Sequence, residues 1–229
     1  RAIMPESWLN FLLIAAGLVT LTNWYAAWKE NLRLYYFTKP LVLTGLILYV
    51  ILSGKLTPER LPFLLGLTCS LLGDIFFIPR GTRWFVAGMV AFSVTQILYI
   101  WGFSATLPPT HVLVVALVAY LAGLLIIHLA LNRFSRGSTL RKSFLPFFKI
   151  YGALVLGMAV NALLCLARPN WPDGAAVMAG VGGILFFTSD AMIGLDKLDK
   201  RLPRYKFWII VTYHIAQFLI TAAILTIYA

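Results

Sequence analysis

Apolar residues run in long blocks along this chain, separated by short clusters of charge, proline and turn residues. A helix needs roughly 20 mostly apolar residues to cross the hydrocarbon core of a bilayer. Eight blocks approach that length, at about 7–26, 39–53, 61–79, 84–104, 111–131, 147–166, 175–194 and 207–228. The second is the shortest and opens with Lys39-Pro40, which places the proline in a first helical turn, where its missing N–H has no partner anyway. The gaps between blocks are too short to hold an independent domain, so residues 1–229 read as a single membrane domain. The first block reads as a spanning helix and not as a cleaved signal peptide. It lacks a basic leader beyond Arg1, and cleavage would leave Lys29, Arg33 and Lys39 outside.

Composition changes the picture in one respect: it removes the soluble alternatives. Hydrophobic residues are 61% and charged residues 12% of the chain, against roughly 45–50% and 25% in globular domains. Disorder, a collagen-like repeat and a disulfide scaffold are excluded by the same numbers. Cys69 and Cys165 lie inside apolar blocks, as small packing residues do. The excess of 19 Lys and Arg over 8 Asp and Glu could suit nucleic acid. The basic residues occupy short gaps between apolar blocks, however, which is the pattern of cytoplasmic loops. No nucleic-acid partner is expected.

Those charges also orient the bundle. The N-terminus and loops 2–3, 4–5 and 6–7 hold Arg1, Lys55, Arg60 and Arg168. The alternate loops, with the first turns that follow them, hold the other 15 of the 19 basic residues. Positive charge marks the cytoplasmic side, so both termini are expected to be non-cytoplasmic. The membrane would be the inner membrane of a bacterium or the endoplasmic reticulum of a eukaryote.

Two of the eight acidic residues, Asp74 and Asp190, fall inside apolar blocks. A carboxylate at the centre of a spanning helix costs roughly 2.5–3.5 kcal/mol on insertion scales, so it marks a candidate functional site. A structural Asp bonded to a neighbouring helix is the plain alternative for either one alone. Helices 3 and 7 run in the same direction, and both acids lie roughly 6–10 Å below the expected cytoplasmic boundary. Small residues accompany them: Gly66 and Ser70 share a stripe with Asp74, and Ala179, Gly182 and Gly183 precede Ser189-Asp190. Such residues let another backbone approach. Lys39, Tyr151, Tyr213, His214 and Gln217 reach a similar level, as does His128. Singly, each is as well explained as an interfacial anchor or an interior polar group. Together they outline one pocket.

A weak internal repeat agrees with that pocket. Lys39, Asp74 and Gln96 in the first half match Lys149, Asp190 and Gln217 in the second. Four helices per unit would make two parallel repeats with a site between them. The expected fold is therefore an all-α bundle of eight transmembrane helices built from two such repeats, with short chance matches as the alternative. Signatures of serine hydrolases, zinc proteases, nucleotide loops and CxxC redox sites are missing. Three histidines are few for a metal cage, and no metal or cofactor is expected.

The residues that remain resemble a known family. Thr38-Lys39-Pro40-Leu41, Leu72-Gly73-Asp74, Phe186-Phe187-Thr188-Ser189-Asp190-Ala191 and Thr212-Tyr213-His214-Ile215-Ala216-Gln217 look like the lysoplasmalogenases. These are eight-helix membrane hydrolases of the transmembrane-protein-86 type. The resemblance runs from about residue 38 to 225. One position departs: the family commonly has His in the fourth helix, before a Leu-Tyr pair. Here Gln96 precedes Ile97-Leu98-Tyr99. Gln donates and accepts hydrogen bonds but does not titrate.

The resemblance implies hydrolysis of the vinyl ether bond of a 1-alkenyl glycerophospholipid, giving a fatty aldehyde and a glycerophospho-alcohol. Vinyl ethers are stable to base and labile to acid, because protonation of the β-carbon produces an oxocarbenium ion. One buried carboxyl must then hold a proton near neutral pH, a state that apolar surroundings and a second carboxylate both favour. The other stays ionised, stabilises the cation and deprotonates the attacking water, a division of labour akin to that of glycosidases. Asp74 and Asp190 are the implied catalytic pair. Lys39, Tyr151, Tyr213, His214, Gln217, Gln96 and Ser189 are the implied substrate-binding residues. The implied partners are a lysophospholipid and the surrounding membrane lipids, with the phosphate near Lys39 and the basic loops. Paired intramembrane acids, a parallel repeat and a break near Pro40 would also suit a proton-coupled transporter. A basic cytoplasmic face would also suit a non-enzymatic lipid-binding protein. Headgroup preference, the assignment of acid and base, and oligomeric state stay open at this level.

Overall fold

The computed structural model describes residues 5–54, 56–138, 144–200 and 202–228. Arg1, Lys55, Arg141, Lys142 and Arg201 of the charge count lie outside them. The described residues form α1 (Glu6–Trp28), α2 (Leu32–Leu52), α3 (Leu61–Phe76), α4 (Thr82–Phe103), α5 (Thr110–Phe134), α6 (Leu145–Leu163), α7 (Asp173–Lys197) and α8 (Tyr205–Ile227). A 3-10 turn, Leu164–Ala167, extends α6. Seven of the helices are long and apolar enough to cross a membrane. Large apolar side chains such as Phe11, Phe37, Val115 and Ile126 face outward. The protein is a multi-pass integral membrane protein built as an all-α bundle.

One helix, α3, departs from the expected count of eight full spans. α3 has 16 residues, which gives roughly 24 Å of rise against a hydrocarbon core of roughly 30 Å. Its apolar block continues to Pro79, but the helix ends at Phe76 and the chain turns at Gly81, whose φ is 124°. Residues 77–81 thus leave the helix early and, with Thr82 at the start of α4, line a cavity. That is where irregular backbone at membrane depth is tolerated.

Most helix starts follow from proline. Pro5, Pro109 and Pro172 occupy N-cap positions, and Pro62 and Pro146 lie in the first turn. A first turn leaves its N–H groups unpaired in any case. Pro40 is the exception, and it corrects the expected start of the second helix. α2 begins at Leu32, where the Asn31 side chain accepts the Leu34 N–H at 3.2 Å, and runs continuously through Pro40. The seven residues gained lower Lys39 by roughly 10 Å from the helix start. Nearby polar groups brace the proline-containing segment. Asn23 of α1 donates to the Tyr35 carbonyl and to Thr38 Oγ1, each at 2.8 Å. The break near Pro40 that would suit a transporter is not there.

Small residues set the packing. α7 lies between α6 and α8, and at Gly183 and Gly182 there is no room for a side chain toward either neighbour. A Cβ at Gly183 would stand 2.7 Å from Ala162 Cβ and 3.3 Å from Ala159 Cα. One at Gly182 would stand 2.9 Å from Ile220 Cγ1 and 3.2 Å from the Ala216 carbonyl. On α3 the small stripe has a different use from the expected backbone approach: the rings of Tyr99 and Phe92 from α4 cover Gly66 and Gly73. Helix neighbours partly repeat between halves, with α1 on α2 as α5 on α6, α3 on α4 as α7 on α8, and α4 on α6 as α8 on α2. α1 also packs on α8, whereas α5 stands at the periphery with no buried residue.

Candidate active site

Counting from the helix ends at which α2, α6 and α8 begin and α7 stops, four polar residues reach one level. Lys39, Tyr151, Asp190 and Tyr213 lie seven, six, seven and eight residues in, or roughly 9–12 Å of rise. Asp74 meets them from the short α3. It is fully enclosed; Lys39 Nζ stands 2.9 Å from its Oδ1, and the Tyr213 hydroxyl donates to its Oδ2 at 3.1 Å. Edge-on contacts with Phe92 and Phe186, at 5.8 and 5.5 Å between centroids, hold the Tyr213 ring in that direction.

Asp190 keeps different company. Its Oδ2 accepts from the Tyr151 hydroxyl at 2.7 Å and from Gln96 Nε2 at 3.4 Å. Both partners are neutral donors. Lys149, its expected counterpart of Lys39, is not among them. Asp190 also lies within electrostatic reach of Asp74 and Lys39. A separate hydrogen-bond chain ties together α3, α4 and α8, beside the site. Tyr99 donates to Gln217 Oε1 at 2.7 Å, Gln217 Nε2 donates to Ser70 at 3.0 Å, and Ser70 donates to Thr95 at 3.2 Å. Gln96 of the first half thus serves the acid of the second, and Gln217 of the second reaches the helix that carries the acid of the first.

Two of the expected lining residues point elsewhere. Ser189 donates to the Ile209 carbonyl at 3.2 Å and fastens α7 to α8. His214 is buried toward α1, where its Nδ1 accepts from Trp24 Nε1 at 3.2 Å. His128 is exposed on the outer face of α5. Tyr99, Thr95 and Asn23 enter the network without having been singled out. Asn23 had a readable signal, an amide inside an apolar block.

Two cavities flank the carboxylates. A basin of about 540 Å³ opens between α2, the 77–81 turn, α7 and α8, with Lys39, Arg80, Lys197 and Lys206 on its walls. A groove of about 220 Å³ runs between α5, α6 and α7. Its lining is apolar apart from Asp190 and Tyr151. Among the described residues, no three His, Cys, Asp or Glu side chains gather as a metal site would require.

A family model covering residues 34–224, described as the YhhN family, matches this chain and takes in every residue of the web except Asn23 and Trp24. The chain belongs to the YhhN family. It is 32% identical over 165 residues to the lysoplasmalogenase TMEM86A of Bos taurus, a match covering 71% of this chain and 65% of that protein. Human TMEM86A is 30% identical over the same shares. Human lysoplasmalogenase TMEM86B is 30% identical over 162 residues, 70% of this chain and 62% of its own length. The match therefore spans just under two thirds of these relatives. No solved structure matches the chain.

Proposed function

We propose that this protein is a lysoplasmalogenase, hydrolysing the vinyl ether of a 1-alkenyl glycerophospholipid with Asp190 as acid and Asp74 as its charged companion. Relatives of that name support the activity. One observation carries the division of labour: Asp74 is ion-paired and enclosed, whereas Asp190 has only neutral partners and lines an apolar groove. In the neutral form of Asp190, Oδ2 is the carbonyl oxygen that accepts from Tyr151 and Gln96. Oδ1 then carries the transferable proton.

The steps balance. Asp190 gives its proton to the β-carbon of the alkenyl chain, and the C=C electron pair forms the new C–H bond. The resulting oxocarbenium ion is stabilised by the fixed carboxylate of Asp74. Water adds to the carbon bearing the oxygen and returns a proton to Asp190, giving a hemiacetal that collapses to aldehyde and alcohol. The enclosure of Asp74 is why water activation is assigned to Asp190, the carboxyl that reaches a cavity. Gln96 acts by holding Asp190, a task that needs a donor and no titration.

The test is a panel of lysolipids alike in chain and headgroup but joined by a vinyl ether, alkyl ether or ester. Aldehyde from the vinyl ether alone is the expected result. Ester cleavage would indicate another hydrolase chemistry, and no turnover of any of the three would leave lipid binding or transport.

The 15-to-4 distribution of basic residues supports an orientation with the α2, α4, α6 and α8 starts in the cytoplasm and both termini opposite. With Cys69 and Cys165 replaced by Ala, an impermeant maleimide added to intact cells should label Leu107→Cys and spare Leu202→Cys. The reverse labelling would invert the bundle.

A further inference from the structure

The basin carries more positive charge than the web of carboxylates uses. Lys39 is committed to Asp74, but Arg80, Lys197 and Lys206 also line it, against a single acidic residue, Asp196. Lys197 lies over the Phe85 ring at 4.5 Å and Lys206 near Tyr205 at 5.9 Å, so aromatic faces hold both ammonium groups without neutralising them. α4 starts on the same wall with Gly81 as its N-cap and no side chain closing its first N–H groups. Beyond the paired Lys39, three cations line this cavity of about 540 Å³, which gives room and charge for an anion larger than a single ion.

A stacked pair of rings stands between this basin and the apolar groove. Phe85 lines the basin and stacks on Phe148, which lines the groove, with 6.1 Å between centroids. Asp190 faces the groove, and Lys197 lies two turns farther along the same helix on the basin side. The apolar groove, the carboxyl that opens into it and a cation of the basin thus lie within two turns of α7. A single-chain 1-alkenyl phospholipid offers the matching set of groups: tail, vinyl ether, phosphodiester.

Building on the lysoplasmalogenase reading, we infer that the basin binds the glycerophosphodiester headgroup, with Arg80 and Lys197 as the phosphate-binding residues, while the tail lies in the α5–α6–α7 groove. The chemistry recognised is a phosphate ester. Its source is the substrate lipid, because the groove that takes the chain adjoins the basin across the Phe85–Phe148 pair.

Binding is measured with two uncleavable ligands, 1-O-hexadecyl-glycerophosphoethanolamine and 1-O-hexadecylglycerol, on the purified full chain. The phosphodiester should bind at least about tenfold more tightly, as expected when a charged hydrogen-bond partner is gained. The double change Arg80→Glu/Lys197→Glu should bring the two ligands to within about threefold. Arg80→Gln/Lys197→Gln, a milder pair, should shift the ratio the same way. Arg136→Glu, exposed beyond α5 and outside the basin, should keep the preference. Equal binding of both ligands to the unaltered protein would overturn the inference, as would a preference that survives both double changes. Displacement of the lysolipid by millimolar inorganic phosphate as readily as by glycerophosphoethanolamine would also overturn it, and would make the basin a free-phosphate site. Phosphodiester preference without vinyl ether turnover would sink the lysoplasmalogenase reading and leave the basin standing. Turnover without preference would do the opposite.

Discussion

Asp190→Asn is expected to reduce aldehyde release from a vinyl ether lysolipid by about 10²–10⁴-fold, the usual range for removing a general acid–base group. The substitution isolates the proton. An Asn side chain has the same shape and can present its amide oxygen to Tyr151 and Gln96, so both hydrogen bonds to Oδ2 are retained. Only the transferable hydrogen at Oδ1 is lost. Thermal unfolding in detergent should therefore change little. Asp74→Asn should lose less turnover, because that carboxylate is sealed from both cavities and acts through its field. Aldehyde release by each variant, measured at saturating substrate, decides the assignment. Near-native turnover of Asp190→Asn removes it from the chemistry, and a larger loss from Asp74→Asn exchanges the two roles.

Much of this architecture was legible in the sequence because lipid leaves few alternatives. Unpaired backbone is prohibitive in hydrocarbon, so long apolar blocks become helices and their ends fall at proline and charge. That logic also brought out Asp74 and Asp190, since two acids in apolar blocks need partners. It failed at Pro40. Proline permits a first turn or an interior position held by neighbours, and the sequence carries no sign that Asn23 of another helix braces this segment. Partner choice was equally hidden. Tyr213 and His214 are adjacent in sequence, yet one helix rotation sends the phenol to Asp74 and the imidazole to Trp24. The basic loops were read as orientation signals and as the neighbourhood of a phosphate, but the convergence of particular residues on one basin was hidden, because it depends on the early end of α3 and the turn at Gly81.

Lys39→Met should destabilise the protein by about 3–5 kcal/mol, the cost of removing one partner of a buried ion pair. Asp74 has no exposure, and its second oxygen is already engaged by the Tyr213 hydroxyl, so the lone charge has nowhere to turn. The methionine itself fits, since it keeps the length of the stem without the ammonium. Adding Asp74→Asn removes the stranded charge and leaves an amide oxygen for Tyr213. Stability should then recover most of the loss, because a buried pair replaced by neutral groups of similar volume is close to neutral or better. Activity should not recover, since neither the Asp74 field beside the oxocarbenium ion nor the Lys39 charge on the basin wall is restored. Unfolding curves and turnover for the two single variants and the double variant close the cycle. A double variant as unstable as Lys39→Met would mean that the lysine contributes by packing against Phe77, 5.8 Å from its ammonium, and not by pairing. A double variant as active as the unaltered protein would mean that the pair serves the fold alone, and Asp190 would then have to carry the chemistry without a charged companion.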